Sequence, residues 1–193
     1  MTEATILIVP GLRDHVDEHW QTLLADRLPK VRTVRPMGRT DLDCGARCAA
    51  IETEAQAIDG EIILVAHSGG VISVAHWAKK TRRPVRGALL ATPPDFETPM
   101  PDGFPTMAEL ELAGWLPVPW DPLPFPSIVA ASRNDPLAGY DRVAEMAAEW
   151  GSKLVDLGEV GHLNPASGYG EWPQAEHFIG ELQGLAQASR NIA

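Results

Sequence analysis

The sequence predicts a doubly wound α/β fold, a single domain over residues 1–193 on a parallel sheet of about six strands. Six short runs rich in Ile, Val and Leu lack strict alternation, as strands covered on both faces do. Helical patterns fall between them in turn, and strand–helix alternation is the signature of a parallel sheet. Right-handed crossovers then leave few topologies.

The first strand, Thr5–Val9, is stopped by Pro10 and Gly11. A helix over Glu18–Leu28 follows, with Trp20, Leu23, Leu24 and Leu28 on one stripe. The second strand is Val31–Arg35 and the next helix Cys44–Ile58. Cys44 and Cys48 share one face of that helix; a disulfide across a single turn is geometrically poor, and no cluster of other ligands accompanies them. Reduced cysteines and no metal are expected. The third strand, Glu61–Ala66, runs into a helix over Gly69–Lys80, whose end is marked by Lys79, Lys80, Arg82 and Arg83, cations that favour a helix C-terminus. The remaining strands are Gly87–Ala91, Ser127–Ala131 and Lys153–Asp156, with helices at Ala138–Trp150 and Trp172–Ala188 and fraying expected over 188–193.

One segment interrupts the alternation. Residues 93–126 are rich in proline, contain Trp115 and Trp120, and offer only Met107–Ala113 as a helix. A long insertion after the fourth strand lies on the side where open α/β sheets bind ligands, so a short, pre-shaped cap is expected, over a small pocket preferring short acyl chains. Trp115 and Trp120 either line that pocket or cover the sheet edge.

The chain has an ordinary globular composition, 45% hydrophobic and 22% charged, with a formal net charge of −10. An acidic surface repels phosphate backbones, so nucleic acid is not expected as a partner. The apolar run Ile6–Val9 is too short for a leader core or a membrane span, and the reading is cytoplasmic, with no membrane association. No protein partner is indicated.

The chemistry is concentrated at Ala66-His67-Ser68-Gly69-Gly70. A β-branched strand enters this stretch, a serine stands at its tip, and two glycines open a helix. A nucleophile on a sharp strand-to-helix turn needs small neighbours so that strand and helix can approach; Ala66 stands where the usual first glycine would. Ser68 would alternatively be a helix cap. Asp135 follows the fifth strand in Asn134-Asp135-Pro136, and His162 follows the sixth in Gly161-His162-Leu163. All three strand ends open on one edge of a parallel sheet, so Ser68, His162 and Asp135 are expected as nucleophile, general base and orienting acid. Asp121 is the alternative acid. His67 and His76, rivals to His162, are expected to point elsewhere. The oxyanion hole should combine the N–H groups of Gly69 and Leu12, with Gly11 allowing close approach. His19 is a further candidate for the pocket wall, Trp20 is expected in the core, and Asn164 is expected to hold the loop behind His162.

At Val9-Pro10-Gly11-Leu12, His19-Trp20-Gln21, Ala66 to Gly70, Pro122 to Ser127, Ala131 to Pro136 and Gly161 to Asn164 through Trp172-Pro173, the chain resembles the small serine hydrolases that include bacterial YdeN-like proteins and human retinoblastoma-binding protein 9. The resemblance spans nearly the whole chain. It implies a compact α/β-hydrolase fold, the triad Ser68, Asp135 and His162, and activity on carboxyl esters or amides without a cofactor. Two departures stand out. Arg13 to Asp17 replaces a glycine- and serine-rich loop, and Ala46 takes the glutamate position of the retinoblastoma-binding motif in Leu42 to Ala46, so that partner is not implied. The leading expectation is a hydrolase of small carboxyl esters. Its alternatives are a thioesterase or amide hydrolase, or a non-catalytic module on the same fold. Nucleotide binding is disfavoured because the first turn lacks the glycine spacing a pyrophosphate needs.

Overall fold

The computed structural model describes residues 4–13, 16–38 and 40–190, with side chains described as far as 184. Its strands are β1 (Thr5–Val9), β2 (Val31–Thr33), β3 (Ile62–His67), β4 (Val85–Ala91), β5 (Ser127–Ala131) and β6 (Lys153–Asp156). They form one parallel sheet in the order β2-β1-β3-β4-β5-β6. The helices are α1 (Trp20–Arg27), α2 (Cys44–Gln56), α3 (Gly69–Ala78), α4 (Met107–Leu112), α5 (Tyr140–Glu149) and α6 (Gln174–Arg190). The fraying expected at the C-terminus falls partly on residues 191–193, outside the described residues, as do Asp14 and His15 of the divergent loop.

Alternate residues of each strand face opposite layers. Leu7, Val9, Ile62, Leu64 and Ala66 pack with Ile51 and Ala55 of α2, Val71, Ile72 and Val74 of α3, and Met146 of α5. Ile6, Ile8, Ile63 and Val65 pack with Trp20 and Leu24 of α1 and Phe178, Ile179 and Leu182 of α6. Burial on both faces explains why these strands read as apolar runs.

The chain goes outward from β1 to β2, then returns to place β3 on the other side of β1. That reversal opens a crevice beyond the C-terminal ends of β1 and β3, where ligands bind in open α/β sheets. Differences from the sequence reading are local. β2 stops at Thr33, β3 takes in His67, and β4 begins earlier, at Val85. Residues 93–126 hold only the short α4, started by a capping box between Thr106 and Glu109. Leu112 on that helix is 91% exposed, so not every large apolar residue of the segment is covered. Among the described residues no helix is long and apolar enough to cross a membrane.

Candidate active site

Ser68 links β3 directly to α3 and has φ 56°, ψ −134°, a strained conformation for a residue with a side chain. Its side chain makes no helix cap. The turn closes because the next residues are glycines. A Cβ on Gly70 would lie 2.5 Å from the Pro10 carbonyl oxygen, and one on Gly69 would lie 2.6 Å from Leu12 Cγ. The loop after β1 is therefore pressed against the elbow, and Gly11 brings it beside Ser68 itself.

His162 Nε2 lies 2.8 Å from Ser68 Oγ, and His162 Nδ1 lies 2.8 and 3.0 Å from the two Asp135 carboxylate oxygens. With Nδ1–H donating to Asp135, Nε2 is left unprotonated to accept from the serine hydroxyl. Both Asp135 and His162 side chains are buried. Their loops are bound together: Asn134 Oδ1 accepts from Gly161 N (2.6 Å) and Ser132 Oγ accepts from Val160 N (3.3 Å). Behind the histidine, Ser167 Oγ accepts from His162 N, and Asn164 accepts from Ser167, as its expected structural role requires. Asp121 is exposed and paired with Lys79 (3.0 Å), far from the role of an alternative acid.

The cavity at Ser68 has a volume of ≈ 790 Å³ and is bordered by Leu12, Gly69, His19 and His162, with Phe96, Met100 and Phe104 from the 93–126 segment. Gly69 begins α3, where an N–H has no partner within the helix. Among the described residues no group of three or more His, Cys, Asp or Glu is disposed to hold a metal ion.

A family model for serine hydrolases matches residues 6–181. The chain belongs to the serine hydrolase family. A YdeN-like hydrolase from Pectobacterium atrosepticum is 29% identical, with 95% of this chain and 92% of that one aligned at a TM-score of 0.81. The ydeN gene product of Bacillus subtilis is 15% identical over 93% of this chain and 98% of its own, with a TM-score of 0.74. Est1E of Butyrivibrio proteoclasticus, solved with ferulic acid bound, is 15% identical over 97% and 89%, with a TM-score of 0.69. The last two likenesses show the fold alone. No curated protein matches the chain significantly.

Three residues of this serine hydrolase carry roles that sequence reading missed. Gln21, buried in α1, donates from Nε2 to the Val9 (3.2 Å) and Val65 (3.0 Å) carbonyls, pinning the ends of β1 and β3 together. Arg47, buried in α2, donates to the Leu12 carbonyl (3.2 Å) and to those of Gly38 and Asp41. Both lie on apolar stripes, Gln21 with Trp20 and Leu24, Arg47 with Cys44, Ile51 and Ala55, and a polar residue on such a stripe was the available signal. His67, the third, does not point away: it borders the cavity and its Nε2 lies 2.9 Å from the His162 carbonyl oxygen. Its ring sits 5.0 Å from that of His162 and 4.8 Å from that of His19, which caps α1. Burial pushes the His67 pKa well below the ordinary histidine value, and the charges of His162 and His19 push it the same way. His76 instead turns to the Trp115 carbonyl (3.0 Å).

His67 therefore links stability to pH. Its folded pKa is depressed, so as pH falls below the ordinary value of about 6.5 the unfolded chain takes up a proton that the folded chain resists. The contribution is complete above that value and is lost as pH falls from it towards the depressed one. Urea melts at a series of pH values should show stability declining through this range. His67→Gln keeps an N–H donor without titrating and should reduce the slope; His76, also depressed by burial, accounts for a remainder.

Of the two readings open for Trp115 and Trp120, lining the pocket or covering the sheet edge, the first does not hold, for neither borders the cavity. Trp115 is fully buried, donates from Nε1 to the Leu42 carbonyl (2.6 Å) and packs edge-on against Phe96, so it supports the wall from behind. Trp120 points to α5, with the Arg142 guanidinium 4.4 Å over its ring and Glu97 accepting from Nε1 (3.3 Å). Nor is the cavity small: ≈ 790 Å³ lies well within the range of small-molecule sites, which removes the argument for a preference for the shortest acyl chains. Trp115→Ala should cost about 3–5 kcal/mol in denaturant unfolding, as for other large buried rings. Trp120→Ala should cost about 1 kcal/mol, mainly its contact with Arg142.

Proposed function

We propose that this serine hydrolase cleaves small carboxyl esters through an acyl-enzyme on Ser68, with His162 as general base and Asp135 as its orienting acid. The observation that carries the reading is the continuous hydrogen-bonded line from Ser68 Oγ through the His162 ring to Asp135. Ser68 Oγ attacks the acyl carbon while its proton passes to His162 Nε2, and Asp135 stabilises the imidazolium. The carbonyl oxygen becomes an oxyanion, for which the Gly69 and Leu12 N–H groups are the donors at the elbow and the facing loop. His162 gives its proton to the departing alkoxide and the acyl group remains on Ser68. Water then attacks that ester, again losing a proton to His162, and the carboxylic acid leaves as Ser68 recovers its hydrogen.

Residues 93–126 act in this reading as a cap, their Phe96, Met100 and Phe104 contributing an apolar part of the cavity wall. Rapid mixing with p-nitrophenyl acetate tests the scheme. A burst of nitrophenol equal to the enzyme concentration, followed by slower turnover, is expected where deacylation is slow. Parallel assays with matched thioesters and anilides identify the leaving-group class. Loss of activity on all three in folded protein contradicts the hydrolase reading and favours a non-catalytic module.

A further inference from the structure

We propose that Arg13 makes the cavity selective for esters that bear a separate carboxylate. The proposal rests on the ester-hydrolase reading and adds the substrate class. Arg13 stands in the loop after β1, next to Leu12, and borders the cavity together with Ser68 and His162. Its guanidinium lies 4.0 Å over the Phe104 ring, and one Nη2–H donates to the Gly103 carbonyl. The side chain thus reaches from the oxyanion-side loop to the cap segment. Stacking on Phe104 fixes the plane of the guanidinium, and among the described residues only the Gly103 carbonyl takes one of its N–H donors, which leaves a fork to meet an acceptor.

No carboxylate of the described residues forms an ion pair with Arg13. What sets Arg13 apart from the other cations without an ion pair is its place on the cavity wall beside Ser68. Among the described residues the other charged one bordering the cavity is Glu109, whose carboxylate is already engaged, accepting from Thr106 N (2.7 Å) and Thr106 Oγ1 (2.8 Å) at the start of α4. Much of the remaining wall is apolar, including Leu12, Val16, Met100, Phe104 and Leu137. Such a site suits a molecule with an apolar middle, an ester at Ser68 and a carboxylate held by the Arg13 fork, since planar bidentate recognition of carboxylates is what guanidinium does best. The repulsive field of an acidic surface makes this local cation the feature that admits an anion.

The carboxylate has two places on the substrate, the acyl chain or the alcohol, and the test separates them. Monoethyl adipate, with an acyl-side carboxylate, is compared with ethyl hexanoate; O-acetyl-4-hydroxybutyrate, with an alcohol-side carboxylate, is compared with butyl acetate. Hydrolysis is followed by proton release. The expected result is a kcat/KM at least about tenfold higher for one carboxylated ester than for its neutral match, carried by KM, as a charge-assisted hydrogen bond supplies. Arg13→Met, which keeps the apolar stem over Phe104, should bring that ratio to about one, and Arg13→Lys should leave it in between. Raising the ionic strength should shrink the wild-type preference without any substitution, which keeps the test decisive if a variant fails to fold. Equal rates on both members of each pair, or a preference that survives Arg13→Met, overturn the role of Arg13 while leaving the hydrolase reading intact. Hydrolysis of none of the four overturns that reading instead.

Discussion

Ser68→Ala is expected to lower kcat for ester hydrolysis by roughly a million-fold, the loss seen when a triad nucleophile is removed, leaving only the smaller acceleration that oxyanion donors and binding supply. The fold should be unaffected. The Ser68 hydroxyl bonds to His162, and the amide still donates to the Ala91 carbonyl (3.0 Å) in the variant. Alanine also meets the same backbone strain at φ 56° as serine does, so no strain is added. Equal unfolding midpoints for the two proteins, with activity lost in one, would separate chemistry from folding. A stable Ser68→Ala protein that still turns over would transfer the nucleophile to another group.

Asp135→Asn is expected to lower kcat by about 10⁴-fold. The Asp135 carboxylate accepts the His162 Nδ1–H at 2.8 Å, and an amide placed there presents an N–H in competition with that proton. The ring is then no longer held as the tautomer whose Nε2 can accept from Ser68, nor is the imidazolium stabilised once it forms. Asp135 Oδ1 also accepts from Leu137 N (2.9 Å), a bond the amide oxygen can keep, so the turn should survive. His162→Ala should match Ser68→Ala in size because the two act as one unit, and combining them should cost little more. The contrasting control is Asp121→Asn, which breaks only an exposed pair with Lys79 and should leave kcat/KM near wild type. Steady-state kinetics on one ester compare all of these variants.

The strands were legible because burial on both faces writes itself as unbroken Ile, Val and Leu runs, and the helices because their apolar stripes recur at helical spacing. The elbow at Ser68 was legible for a local reason: serine at positive φ between a strand and two glycines is a property of adjacent residues. Asp135 and His162 followed from topology, since parallel strands deliver their C-terminal ends to one edge. What stayed hidden depends on contacts between distant segments. Whether Trp115 lines the pocket or covers the sheet was open in the sequence; the pocket is walled by Phe96 and the tryptophan stands behind it, an order of layers that spacing does not encode. His67 adjoins Ser68 in sequence, but its bond to the His162 carbonyl exists only once a loop 95 positions away returns. Arg13 was visible as a departure from its relatives, and only the approach of Gly103 and Phe104 gives that departure a chemical meaning.

The most direct measurement of the central claim is the position of a fluorophosphonate adduct on the wild-type protein, read by intact mass and peptide mapping. One phosphonyl group per chain on Ser68 is predicted, with labelling slowed strongly in Asp135→Asn and His162→Ala. Adduct on any other residue, or none on folded, active protein, would contradict it.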